Sequence, residues 1–79
     1  MLPPNLPSDI KQSRLLKALK KSGFDIDFRS GKGSHAKAVD PKSGKFITIQ
    51  NHLYKIVVME ILKEAEKLGY DASAIMNHY

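Results

Sequence analysis

The segment Gly31-Lys32-Gly33-Ser34-His35-Ala36-Lys37 gathers residue types able to hold a phosphate and move a proton. Two glycines let the backbone come close to a ligand, and consecutive main-chain N–H groups at Gly33 and Ser34 can cradle an anion. Lys32 and Lys37 add positive charge. The segment is not a P-loop, because one residue separates its glycines and it opens a strand instead of a helix. His35, with lysines on either side, is suited to accept a proton near neutral pH. In RNA the available proton is that of the 2′-hydroxyl, whose removal starts attack on the neighbouring phosphorus without a metal. The lysines would then stabilise charge developing on the phosphoryl oxygens. A structural or merely exposed histidine is the alternative reading.

His52 is the second candidate acid/base. If Pro41 to Gly44 connect two strands, Asp40 pairs with Lys45 and paired residue numbers sum to 85. Continued outward, that register puts His52 on the same face as His35 and diagonal to it, roughly 7–8 Å away at the backbone. An acid and a base could then flank one phosphate; a cap on the second helix is the competing role. His78 is penultimate and receives no role. Asp25 and Asp27 belong to an outer strand and Asp40 to a turn, so the histidines lack paired carboxylates and neither a metal nor another cofactor is expected. Tyr54, Tyr70 and Tyr79 are too dispersed for a base-stacking platform.

These residues must be positioned by one small domain. Residues 1 to 7 hold three of the four prolines and read as an extended lead-in, with Ser8 placed to cap a helix. Leu15, Leu16 and Leu19 recur at helical spacing opposite Lys11, Arg14, Lys17, Lys20 and Lys21, and Gly23 is the stop. Phe24 to Arg29 alternates apolar and polar residues, as a half-buried strand does. A second extended run covers Ser34 to Asp40, and Phe46 to Gln50 has strand composition. From about Leu53 the period is helical again, with Val58, Ile61, Leu62, Ala65 and Leu68 on one side and Gly69 as the stop. Residues 71–79 form a tail or short helix. The order is α-β-β-β-α in the α+β class, with a three-stranded antiparallel meander and both helices on one face. Ala36, Ala38, Ile47 and Ile49 are assigned to the core face, and His35, Lys37, Val39, Phe46, Thr48 and Gln50 to the open face, because burying His35 and Lys37 would strand them without partners. Val39 and Phe46 fit that polar face poorly and are expected to be covered by the tail.

The chain has 79 residues, 13 basic against 8 acidic, for a net charge of +5. A single domain of this size has little room to enclose a large cofactor, so its function is expected on the surface. Ten basic side chains between Lys11 and Lys45 meet only Asp25, Asp27 and Asp40, which makes that stretch +7 and the remainder −2. A concentrated positive field suits a polyanionic partner, although a solvated basic face is common in proteins that bind none. With no cysteines there is no disulfide scaffold, thiolate metal site or thiol nucleophile. No apolar run approaches the ~20 residues needed to span a bilayer, and the start lacks a signal-peptide plan, so a soluble, cytoplasmic protein is expected.

A basic helix ending in Gly23-Phe24, an alternating strand, Gly33-Ser34-His35 opening the next strand, a β-rich strand ending near His52 and a helix with Ile61-Leu62-Lys63-Glu64-Ala65 resembles the HicA (YcfA-like) toxins over roughly residues 8 to 72. The resemblance implies a double-stranded-RNA-binding-domain-like fold and an mRNA endonuclease that arrests translation. It also implies a cognate HicB antitoxin that masks the site, and it puts the catalytic histidine at His35. Gln50-Asn51 before His52 and Tyr54-Lys55-Ile56-Val57 after it depart from the family pattern. Two other readings stand beside this one. The first is a non-catalytic RNA-binding module using Lys32, Lys37 and the first helix. The second is an interaction domain whose basic face docks an acidic protein.

Overall fold

The computed structural model describes residues 6, 9–28 and 35–79. Ser8, Lys32, Gly33 and Ser34, all singled out above, lie outside them. Helix α1 spans Gln12–Ser22, strands β1, β2 and β3 span Asp25–Asp27, Ala36–Val39 and Phe46–Ile49, and helices α2 and α3 span Lys55–Lys67 and Ala72–Asn77. The strands form an antiparallel sheet in the order β1-β2-β3. The protein is α+β, with the α-β-β-β-α order of a double-stranded-RNA-binding domain followed by one further short helix. No helix among the described residues is long and apolar enough to cross a membrane.

Both principal helices start on apolar contacts. α1 begins at Gln12 with Lys11 in the N-cap position and no side-chain cap. Ile10 before that cap and Leu15 four residues into the helix are both buried, the positions of a hydrophobic staple. α2 repeats the device: its N-cap Tyr54 makes no side-chain cap bond, and Leu53 and Val58 are the buried pair. Only α3 adds a polar cap, the Asp71 carboxylate accepting from the Ser73 N–H at 3.2 Å. At the other end of α1, Gly23 has φ +123° and its N–H donates to the Lys20 carbonyl, while Phe24 N–H reaches back to Leu19. Only glycine takes that conformation cheaply.

The hairpin register is the expected one, with Ala36↔Ile49, Lys37↔Thr48, Ala38↔Ile47 and Val39↔Phe46 as pairs. Ala36, Ala38, Ile47 and Ile49 are buried, and α1 and α2 pack on their side of the sheet. β1 is shorter than predicted. Its alternation delivers Phe24 to the core and Ile26 to its margin, but Phe28 is 64% exposed. The strand has ended at Asp27, and Phe28 lies beside Leu16 and Ile26 at the edge of the covered face. The tail forms α3 and packs against α1 and α2, with Ala72 and Ile75 fully buried. It therefore does not cover Val39 and Phe46 on the opposite face, as had been expected.

Asp40, buried at the end of β2, ties these parts together. Its carboxylate accepts from Ser43 Oγ at 2.8 Å, from Tyr70 Oη at 2.8 Å and from the Lys42 N–H at 3.3 Å. Those donors, Ser43 first and Tyr70 next, hold the carboxyl below its ordinary range against the opposing effect of burial. Burial, and after it the hydrogen bond and charge of Asp40, push the Tyr70 phenol up to about 12. The Tyr70 ring stacks on Phe24 with centroids 4.1 Å apart.

Two outcomes are expected. Ile75→Ala should destabilise the domain by roughly 2–5 kcal/mol, since it empties a fully buried site where α3 meets α1 and α2. Urea titration measures this, and a loss below about 1 kcal/mol would mean α3 is not docked. The second concerns pH. A depressed Asp40 stabilises the fold above the ordinary value of 3.8, and that contribution disappears as the pH falls through the folded value. A raised Tyr70 contributes fully below its ordinary 10.0, and its share is lost as the pH climbs to about 12. Tyr70→Phe should lower the melting temperature at neutral pH, shift the acid limb to higher pH and flatten the alkaline limb. An unchanged melting profile from pH 2 to 12 would show that this bond does not hold the fold.

Candidate functional site

The helices leave one sheet face bare, and the strand registers fix what it carries. Asp25, Val39 and Phe46 form one row across the three strands, and Asp27, Lys37 and Thr48 form the next. The ladder ends at Ala36↔Ile49, with His35 and Gln50 just beyond it at the same end of the sheet. His35 is exposed at the head of β2. Lys37, two residues on, is half-buried and places Nζ 4.3 Å from the Phe46 ring centroid. Phe46 is 53% exposed, and with its partner Val39 it is the apolar part of a face whose other strand positions are polar.

The structure thus leaves Lys37 on the open face and His35 exposed just beyond the end of its ladder. Lys32, Gly33 and Ser34, which precede His35 in the sequence, are outside the described residues. His52 is placed differently from the register argument. β3 stops at Ile49, whose carbonyl accepts from Gln12 Nε2 at 3.1 Å, and the chain bends so that Leu53 can be buried at the start of α2. No ladder therefore carries the pairing out to His52. Its ring is exposed and stacks on Tyr54 at 6.3 Å, on the wall of an open cleft of about 580 Å³ beside Lys11, Gln12 and Asn51. The N-cap of α2 is Tyr54, so His52 is not the cap either.

The positive charge divides between two layers. α1 lies on the covered face, and its cations do not gather around His35 as the sequence arithmetic implied. Lys17 and Lys20 flank a groove of about 330 Å³ with Leu16, Ile26 and Phe28. Arg14 donates to the Tyr79 carbonyl and lies 4.2 Å over the Tyr79 ring, while Lys11 N–H donates to the Tyr79 hydroxyl at 2.9 Å. On the open face, Lys37 is the one cation among the described strand residues, and Asp25 and Asp27 share that face with it.

Sequence reasoning missed those two carboxylates as neighbours of Lys37. The signal was present, because Asp27 and Lys37 sit at alternating positions of adjacent strands. Using it required the β1–β2 register, and the two glycines at 31 and 33 do not by themselves fix an anchor pair from which to count. Among the described residues, no group of three or more histidine or acidic side chains is placed to hold a metal ion.

Against known proteins, the family model for the HicA toxin of bacterial toxin–antitoxin systems matches residues 13–67. No curated protein and no solved structure matches the chain. The matched span includes α1 from its second residue on, strands β1 to β3 and α2. The chain belongs to the HicA toxin family.

Proposed function

Taking that membership as the premise, we propose that this chain is the toxin of a toxin–antitoxin pair and acts as a metal-independent endoribonuclease on mRNA, with His35 as the catalytic acid/base. The observation that supports the reading is that His35 is exposed at the head of β2, two residues from Lys37 on the face left bare by the helices. Such a face admits a long polymer without requiring a pocket, as an 8.8 kDa domain demands.

In this mechanism His35 takes the proton from a ribose 2′-hydroxyl as the oxygen attacks the adjacent phosphorus. The bond to the 5′-oxygen breaks, leaving a 2′,3′-cyclic phosphate on one fragment and a 5′-hydroxyl on the other. The leaving oxygen takes up a proton from a general acid, for which His52 is the candidate side chain. Lys37 offsets charge building on the non-bridging oxygens, and on sequence grounds Lys32 and the main chain of Gly33 and Ser34 share that task. The substrate supplies its own nucleophile, so no cofactor enters. A HicB-like antitoxin would silence the enzyme by covering the open face and excluding RNA.

The test is cleavage of a defined mRNA by purified protein, with and without EDTA. His35→Ala should slow cleavage by about 10²- to 10⁴-fold, the usual worth of a positioned acid/base, while EDTA changes nothing. His52→Ala should slow it by tenfold or more if that ring returns the proton. Equal cleavage by wild type and His35→Ala would remove His35 from catalysis. Salt-sensitive RNA retention without cleavage by either protein would favour the non-catalytic module.

A further inference from the structure

We propose that Phe46 is a stacking site for an unpaired nucleobase, and that a single RNA strand runs along β2 and β3 with one base on Phe46 and a neighbouring phosphate on Lys37. The inference rests on the endoribonuclease reading and adds the residue that positions the strand.

Three observations converge on it. Phe46 is more than half exposed although it belongs to a regular strand, and neither the helices nor the C-terminal residues cover it. Its cross-strand partner Val39 is half-buried, so ring and valine form a small apolar shelf in a polar face. Lys37 stands between that shelf and His35 along β2, with its ammonium 4.3 Å from the ring centroid. His35 and Val39 are four residues apart on one chain, roughly 13 Å at the rise of a β-strand, with Lys37 midway.

Charge complementarity selects the occupant. An aromatic shelf, a cation and an imidazole in sequence along one track match a polymer that alternates planar rings with anions, which is what a nucleic acid strand offers. An acidic protein surface would meet Asp25 and Asp27 in the same two rows as Val39 and Lys37, and like charges would face each other. The same carboxylates repel phosphates from β1, confining an RNA backbone to the β2–β3 side. A duplex does not fit the shelf, because its bases are already stacked on one another and cannot reach a side chain. The cation–π contact of Lys37 is weak at an exposed site, so the ammonium can exchange the ring for a phosphate when a strand arrives.

The experiment uses a fluorescent 2′-O-methyl oligonucleotide, which lacks the nucleophilic hydroxyl and so reports binding by intact wild-type protein. Phe46→Ala should weaken binding about 5- to 100-fold, the worth of one stacked base, leaving the salt dependence of binding unchanged and the circular dichroism native. Phe46→Tyr should bind as wild type does. The sequence contains no tryptophan, so Phe46→Trp introduces a single reporter whose fluorescence should be quenched by single-stranded and not by duplex oligonucleotide. If wild type binds and cleaves RNA while Phe46→Ala binds within twofold of it, or the tryptophan emission is unmoved, the stacking site is wrong and the nuclease reading survives. If wild type neither retains nor cleaves RNA, both fall. Emission changed by an acidic protein partner but not by RNA would replace the stacking site with a protein contact.

Discussion

The carboxylate of Asp40 and its bond to Tyr70 hold together three parts of the chain that nothing local would join. A buried carboxylate is tolerable only when donors replace the water it has lost, and Asp40 has two hydroxyls and a main-chain N–H around it. Two of those donors come from its own turn, which closes through Gly44 N–H to the Asp40 carbonyl and Asp40 N–H to the Lys45 carbonyl. The third comes from the α2–α3 joint. Tyr70 in turn lies flat on Phe24 and fills the space over Gly23, where an added Cβ would come 3.3 Å from the ring. One phenol therefore couples the end of α1, the β2–β3 turn and the start of α3. Because that turn sets the hairpin register, it also decides which side chains of β2 and β3 face out.

The outward face then follows from packing. The central strand offers only alanines to the helices, at positions 36 and 38, and small side chains there let α1 and α2 come close to the sheet. Leu15, Leu19, Ile49, Leu62 and Ile75 are fully buried as a result, each worth roughly 1.5–3 kcal/mol relative to exposure. α3 packs its apolar side on α1 and α2, so among the described residues no helix covers the other face. That face persists uncovered because most of its positions are polar. The Val39–Phe46 pair is the exception, a cross-strand apolar contact that still leaves the Phe46 ring more than half exposed.

How far this was legible in the sequence depended on whether a short-range rule reached each residue. The β2–β3 hairpin was readable because Pro41 to Gly44 is recognisable turn chemistry, and one anchor pair fixes every pair after it. The division into Ala36, Ala38, Ile47 and Ile49 inside and His35, Lys37 and Thr48 outside followed at once. The rule failed where the strand ended. At Ile49 the need to bury Leu53 overrides the pleat, so the extrapolation to His52 broke, and at Asp27 the same kind of ending released Phe28. The helix starts failed for another reason: polar caps are visible as residue types, whereas Ile10 with Leu15 and Leu53 with Val58 act only through packing. Asp40 looked like a turn residue because its partner Tyr70 lies 30 positions away.

Charge is where summation along the chain misleads most. The basic residues of α1 and Lys37 lie in one stretch of the sequence yet belong to different layers, since α1 sits behind the sheet and Lys37 in front of it. A packed layer is on the order of 10 Å thick, and the Debye length at physiological ionic strength is about 8 Å. The α1 lysines therefore add little to the potential at His35, although at low salt they still draw a polyanion toward the molecule. Among the described strand residues of the open face the balance is Lys37 against Asp25 and Asp27. For the proposed RNA strand this means that phosphate attraction alone would not hold it, and that its path would keep clear of β1. What the open face offers a ligand thus depends more on the placing of a few side chains than on the net charge of the domain.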